Sequence, residues 1–156
     1  MAAARAAGSA TGAGVSPDEM RALVRRHIEE GFNRDDWTVC ETTMADDYTA
    51  FYGAEGKANV GRDEYVRVCR FLRKSFPDVS ITIEDLVVEG DKIVMRYTER
   101  GTLSGRAFLG IEPSGQQYVK PGTTVYRVID GRLAQSWGVE DTLGWFRQLG
   151  KVPDSP

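Results

Sequence analysis

Two adjacent acids, Glu140 and Asp141, close an alternating run near the C-terminus and could carry out acid–base chemistry. One side of the run holds Leu133, Gln135, Trp137, Val139 and Asp141. If Trp137 faces the interior of a sheet, strict alternation turns Asp141 inward as well. A carboxylate beside Trp and Val is desolvated, which raises its pKa toward the range useful for taking a proton at neutral pH. Asp141 also directly precedes a predicted helix, so an N-cap role stays open.

Strict alternation points Glu140 to the opposite side of the strand from Asp141. The alternative to a catalytic role is that Glu140 is a solvated acid near the first turn of a helix. On an earlier strand Tyr97 and Glu99 share a phase with apolar residues, so both could line a pocket. Tyr97 could give a proton or a hydrogen bond to a substrate oxygen, or could be a tyrosine at the edge of the core. Together with Asp141, these three residues are the candidates for catalysis and for polar contacts with a substrate.

Aromatic side chains supply candidate walls for a flat substrate. Tyr48 and Phe51 follow a predicted helix, and Trp137 lies on the last strand. The alternative for all three is ordinary core packing.

Nothing in the sequence resembles a serine triad, a P-loop, a dinucleotide fingerprint or a cluster of metal ligands, so no cofactor and no metal are predicted. The only histidine, His27, lies beside the apolar stripe of the first helix and is interpreted as flanking the core. Cys40 and Cys69 are far apart and read as small core hydrophobes.

The elements that must position these residues are three helices, a four-stranded meander and a final helix. Ser16, Pro17 and Glu19 predict a capped helix start, a short helix is predicted from about Trp37 to Met44, and a third helix ends at Pro77. A brief extended piece ends near Tyr52, and residues 54–61 read as a loop. The predicted strands are Ile81 to Val88, Lys92 to Gly101, Tyr118 to Ile129 and Arg132 to Val139.

Hairpin turns at Gly90-Asp91 and Asp130-Gly131 make these strands antiparallel. A change of phase near Glu84-Asp85 predicts a bulge that bends the sheet around a cavity. The segment from Thr102 to Gln117 is too apolar for a solvated loop, and we expect it to form a flap over the pocket mouth.

The predicted fold class is α+β, a cone-shaped curved antiparallel sheet wrapped by N-terminal helices. We expect residues 1–15 to be a disordered Ala/Gly-rich tail, 16–150 a single domain and 151–156 a C-terminal tail. The helix Thr142 to Leu149 closes the domain before Gly150.

The formal net charge is −3, with 20 basic and 23 acidic residues and no long charge block, which argues against nucleic-acid and membrane-surface partners. No secretory signal is recognisable, so cytoplasmic localisation is expected. Apolar residues on both sides of the third strand predict a homodimer or higher homo-oligomer, because a second subunit would cover some of them. These residues are Val119, Val125, Tyr126 and Val128.

The order of elements is that of the nuclear-transport-factor-like cone fold, and local strings sharpen the resemblance. They are Phe76-Pro77-Asp78, Gly101-Thr102, Phe108-Leu109-Gly110-Ile111, Asp130-Gly131, Trp137-Gly138-Val139-Glu140-Asp141 and Gln148-Leu149-Gly150. Taken together, from about Pro17 to Gly150, they resemble the SnoaL-like polyketide cyclase family. Many members carry a histidine after the residues that correspond to Asp47-Tyr48 and another after those that correspond to Gly101-Thr102. This sequence has Thr49 and Leu103 at these places, so the histidine-assisted chemistry of those members is not carried over.

The resemblance implies cofactor-free chemistry on a small apolar or polycyclic substrate in a homo-oligomer, with Asp141 at the position of an acid–base carboxylate. The leading hypothesis is a cyclase or isomerase acting on a polyketide-type or other natural-product intermediate. Epoxide opening by carboxylate and tyrosine groups, as a cyclase or hydrolase, is one alternative. A small-molecule carrier without chemistry is another, because a fold does not decide function.

Overall fold

The structure is a computed structural model that describes residues 14–51 and 61–153. All of the predicted loop at 54–61 except its last residue and most of the predicted N-terminal tail lie outside these ranges, as do residues 154–156. In the described part, no helix has the length and apolar character needed to cross a membrane.

The first helix begins where the sequence predicts. In α1 (Pro17–Arg26) the Ser16 hydroxyl accepts the backbone N–H of Glu19, whose carboxylate accepts the N–H of Ser16. The helix continues as a π-helical turn, His27–Phe32, that the sequence did not predict. A wider turn re-aims side chains, and it places Ile28 and Phe32 on the cavity side.

Two further helices precede the meander. The short helix α2 spans Val39–Thr43, within the predicted range, and α3 spans Arg62–Ser75 before Pro77. The last helix, α4, spans Thr142–Gln148, and Gly150 follows with a φ of +78° that favours glycine.

Within residues 14–51 and 61–153, five strands form one curved sheet in the order β1-β5-β4-β3-β2. Their bounds are β1 Met44–Phe51, β2 Ser80–Glu89, β3 Lys92–Leu103, β4 Gln116–Ile129 and β5 Arg132–Glu140. Both predicted hairpins are present, and the predicted bulge appears as a register shift between Ile83 and Asp85. The predicted extended piece is the strand β1, which pairs parallel with β5 and makes the sheet mixed.

The inner face of the sheet packs against α1, its π-helical turn and α3 to form the core. The edge strand β2 is held by Asn33, whose side-chain amide donates to the carbonyl of Ile81 at 2.9 Å and accepts its N–H at 2.8 Å. This pair satisfies backbone groups that an edge strand leaves open. The curvature leaves a cavity between the sheet and the helices.

The predicted flap does not cover this cavity. Residues 104–115 connect β3 to β4 and pack against the end of α3 and against α4. The backbone of Gly105 and Arg106 bonds to Ser75 and Lys74 at 3.0 and 2.9 Å, and Phe108 contacts the rings of Phe76 and Trp145. None of the residues that line the cavity comes from this loop.

Candidate functional site

The cavity has a volume of about 370 Å³. Its apolar lining comes from the helices and from the strands β2 and β3, through Ile28, Phe32, Val68, Leu72, Ile81 and Met95. A groove of about 490 Å³ on the outer side of α3 is larger but open, and no described residue that lines it is a buried polar group. The cavity is therefore the candidate site.

One end of the cavity holds three charged side chains, which we call the ionic end: Glu99, Lys120 and Glu140. The Lys120 ammonium donates to Glu99 Oε1 at 3.1 Å and to Glu140 Oε2 at 2.9 Å, and it lies 4.2 Å from the ring centre of Trp145. The exposed side-chain fractions are 3% for Lys120, 6% for Glu99 and 37% for Glu140. One cation thus links a buried carboxylate to a partly open one.

The strand register explains this arrangement. Glu99 on β3 faces Lys120 on β4, and Glu140 on β5 faces Gly122, two residues further along β4. Residues two apart on a strand share a face, so the three side chains meet on the inner face.

Two tyrosines turn their hydroxyls toward the carboxylates. Tyr118 donates to Glu99 Oε1 at 2.6 Å, and Tyr97 donates to Glu140 Oε2 at 3.3 Å. Each ring crosses a glycine of the neighbouring strand: a Cβ on Gly101 would lie 2.9 Å from the Tyr118 ring, and one on Gly122 would lie 2.4 Å from that of Tyr97. Glycine is therefore required for both hydroxyls to reach the ionic end.

Burial governs the protonation of this end. Burial raises the pKa of Glu99, while Lys120 and the Tyr118 hydroxyl partly oppose the shift. Burial and the neighbouring carboxylates raise the pKa of Tyr97 and of Tyr118 well above the ordinary value for tyrosine. Both phenols keep their protons at neutral pH and act as hydrogen-bond donors.

The opposite wall is neutral, and we call it the hydroxyl end: Tyr48, Tyr65 and Ser136. The hydroxyls of Tyr48 and Ser136 are 2.6 Å apart, and the exposed fractions of these residues are 2% and 4%. Tyr65 Oη lies 3.1 Å from Nε2 of the buried His27, whose Nδ1 lies 3.3 Å from Thr43 Oγ1. Burial lowers the pKa of His27 to about 4, so this support is uncharged at neutral pH.

The structure places four of the predicted site residues at the cavity, namely Tyr48, Tyr97, Glu99 and Glu140. It places Asp141 elsewhere: its carboxylate accepts the N–H of Gly144 at 2.8 Å and caps α4 on the surface. The interpretation of Asp141 as a helix cap is confirmed, and its predicted inward orientation is wrong.

Trp137 and Phe51 also differ from the prediction. Their rings stack on the outer face of the sheet, 5.3 Å apart and 6° from parallel, and line no part of the cavity. For Trp137 the reason is a bulge in β5, where Val128 pairs with Leu133 and Arg127 with Gln135, which leaves Ala134 as an extra residue. Phe51 is the residue of β1 that pairs with Trp137. The bulge inverts the phase, so Ser136, Gly138 and Glu140 face inward.

Sequence reasoning missed Lys120 and Ser136. A signal for Lys120 was present, because it shares its phase on β4 with Tyr118, Tyr126 and Val128, which are all buried. A lysine in an otherwise inward phase needs a buried partner. In the described part of the chain, no group of three or more His, Cys, Asp or Glu side chains is arranged to hold a metal ion.

Comparisons with known proteins agree with this architecture. The structure is similar to AclR from Streptomyces galilaeus, a candidate hydroxylase, with a TM-score of 0.80, 25% identity, and coverage of 90% of this chain and 87% of that one. TsrD from Streptomyces laurentii gives a TM-score of 0.78 at 29% identity, with coverage of 89% and 100%.

IdmH from Streptomyces antibioticus, a candidate polyketide cyclase, gives a TM-score of 0.72 at 28% identity, with coverage of 86% of this chain and 98% of that one. No curated protein matches the chain. The family model of the SnoaL-like polyketide cyclases matches residues 22–149. The chain therefore belongs to the SnoaL-like polyketide cyclase family.

Proposed function

We propose that the protein is a cofactor-free cyclase or isomerase that moves a proton on a polyketide-type or other natural-product intermediate through Glu140. The observation that carries this proposal is the position of that carboxylate: it lines the cavity, is held by Lys120 and Tyr97, and is the more exposed of the two acids. A positioned carboxylate within reach of a bound C–H or O–H is the requirement for general acid–base catalysis.

Each neighbour has a distinct role in this proposal. Lys120 fixes the orientation of the Glu140 carboxylate and is itself fixed by Glu99 and Trp145. Tyr97 stays protonated, and when its single O–H turns from Glu140 to the bound substrate it donates to the oxygen on which negative charge develops. Glu99 is the buried counter-charge that keeps Lys120 in place. The apolar walls hold the reacting atoms close together.

Opening of an epoxide is the second candidate, and the combination of Tyr97 with Glu140 favours it. In that reaction the tyrosine hydroxyl donates to the oxirane oxygen while the carboxylate takes the proton of the attacking nucleophile. An internal hydroxyl as nucleophile gives a cyclic product, and water gives a diol.

Two simple bicyclic probes separate the candidates. Carbon acid chemistry predicts accelerated exchange of the α-hydrogens of 2-tetralone in D₂O, followed by NMR. Epoxide chemistry predicts opening of 1,2-epoxytetralin, followed by chromatography. Glu140→Gln should lower the active reaction by about a hundredfold or more, because the amide does not accept the proton. Binding of both probes without any reaction would refute both candidates and favour the carrier.

We also propose a homodimer or higher homo-oligomer that uses the outer face of the sheet. On this face Val125 lies between Val94 and Trp137, and Val139 is 78% exposed. Of the four residues among which some were expected to be covered by a second subunit, Tyr126 and Val128 are buried in the core of this chain. Light scattering should give at least twice the monomer mass, whereas a clean monomer at micromolar concentration would contradict this proposal.

A further inference from the structure

The pair Tyr48 and Ser136 has one more hydrogen than the protein uses. Two hydroxyls carry two donor hydrogens, and their mutual bond at 2.6 Å takes one of them. No other hydrogen bond of either hydroxyl exists within the described residues. Both residues are more than nine-tenths buried and both line the cavity. One O–H donor therefore faces the cavity from this pair, whichever of the two hydroxyls donates to the other.

We propose that this pair is a second binding subsite, which donates a hydrogen bond to an uncharged oxygen acceptor of the substrate, such as a ketone or an ester carbonyl. A buried donor that a ligand covers without accepting its hydrogen costs about 1–3 kcal/mol, so a ligand with an acceptor at this point is selected. The phenol is the stronger donor, which favours the order Tyr48 to Ser136 to ligand, and such a chain strengthens its last bond.

The acceptor is neutral because this end offers nothing to an anion. Burial raises the pKa of Tyr48, so its hydroxyl stays uncharged. Among the described residues that line the cavity, the only cation is Lys120, and two carboxylates already hold it. A carboxylate or phosphate at the pair would be desolvated without a counter-charge.

The distance along β5 gives the substrate a second constraint. Ser136 and Glu140 are four residues apart on the same inner face, beyond the bulge at Ala134. At about 3.3 Å per residue their backbones are ~13 Å apart. A molecule that reaches both ends therefore has its reactive site at Glu140 and a neutral oxygen at the far side. This inference rests on the proposed function in one respect, that the cavity is where the substrate binds.

A matched ligand pair tests the subsite. The probes are 2-acetylnaphthalene and 2-isopropenylnaphthalene, which differ by the exchange of the only carbonyl oxygen for a CH₂ group of similar shape. Calorimetric titration of the wild type should show about tenfold tighter binding of the ketone. Equal affinities would overturn the proposal, as would the failure of both probes to bind at millimolar concentration.

Variants locate the effect. In Tyr48→Phe/Ser136→Ala, with folding confirmed by circular dichroism, the ratio of the two affinities should fall to about one. Glu140→Gln, at the other end, should keep the tenfold ratio. A ratio that survives in the double variant would overturn the proposal, and the wild-type ratio decides it even if that variant does not fold. Failure of the catalytic proposal is distinguishable, because there Glu140→Gln would keep full turnover while the binding ratio persists.

Discussion

The two ends of the cavity use opposite means to place polar groups in an apolar interior. The ionic end gathers two carboxylates around Lys120, and two tyrosine hydroxyls donate to these carboxylates. The hydroxyl end contains no charge, and its histidine is kept neutral by burial. Removing charges from water is costly, whereas a neutral hydrogen-bonded pair is not. The proposed proton transfer uses the ionic end, and the proposed recognition of a neutral oxygen uses the hydroxyl end.

Removal of the central cation should have the largest effect on stability. Lys120→Met leaves the buried Glu99 without its counter-charge, and we expect a loss of about 3–5 kcal/mol in the free energy of unfolding, measured by urea titration at pH 7. The control is Arg96→Met, which breaks the exposed pair with Asp85 on the outer face and should cost less than about 1 kcal/mol.

The direction in which the stability loss of Lys120→Met changes with pH follows from the protonation of Glu99. Burial raises its pKa above the ordinary 4.5, so the folded state holds the proton more tightly than the unfolded one. This contribution to stability is present below pH 4.5 and is lost as the pH rises through the folded-state value. The deficit of the variant should therefore shrink on acidification. A deficit that stays constant with pH would show that packing, and not an unpaired charge, causes it.

The hydroxyl end should respond to acid in the opposite direction. The pKa of His27 is lowered from 6.5 to about 4, so the stability associated with its neutral form is present above pH 6.5 and is lost as the pH falls toward 4. At about 1.4 kcal/mol per pH unit the loss approaches ~3 kcal/mol. His27→Gln keeps an amide for Thr43 and Tyr65 but does not titrate. Between pH 7 and 4 the free energy of unfolding of this variant should therefore fall by ~3 kcal/mol less than that of the wild type. Parallel stability curves would refute a buried neutral histidine.

Discrimination against anionic ligands should be a smaller effect than the stability changes expected for Lys120→Met and His27→Gln. Glu99, Lys120 and Glu140 sum to one negative charge, so methyl 2-naphthoate should bind at least about tenfold more tightly than 2-naphthoate at pH 7.5, as measured by quenching of tryptophan fluorescence. Glu140→Gln removes the excess charge and should reduce this preference. Tighter binding of the anion would mean that Lys120 is free to meet the substrate.

Local patterns predicted most of the fold, because caps, hairpin turns and alternation are short-range. Ser16 and Glu19 form the predicted capping box, and Gly90-Asp91 and Asp130-Gly131 form the predicted turns. The pairing of β1 with β5 joins residues 86 to 89 positions apart, and no local pattern encodes it. The sequence therefore indicated an extended piece near Tyr48 but not its place in the sheet.

The site was predicted in composition but not in geometry. A single bulged residue, Ala134, exchanges the faces of β5 and so exchanges Asp141 for Glu140 at the cavity. The pairing of Lys120 with Glu99 depends on the register across a connection of twelve residues, 104–115, which alternation alone does not fix. The wrong orientation predicted for Asp141 and the failure to predict Lys120 both result from strand register, and both concern residues at or next to the ionic end.

The adjacent acids at the end of β5 offer the most direct test of the central claim that Glu140 moves the proton. Glu140→Gln and Asp141→Asn each replace one carboxylate by an amide of nearly equal size, and the asparagine oxygen can still cap α4. The rate of deuterium exchange at the α-positions of 2-tetralone is measured for both variants and the wild type under the same conditions. It should fall about a hundredfold or more in Glu140→Gln and stay within about twofold of wild type in Asp141→Asn. The reverse result, a silent Glu140→Gln with an inactive Asp141→Asn, would contradict the account.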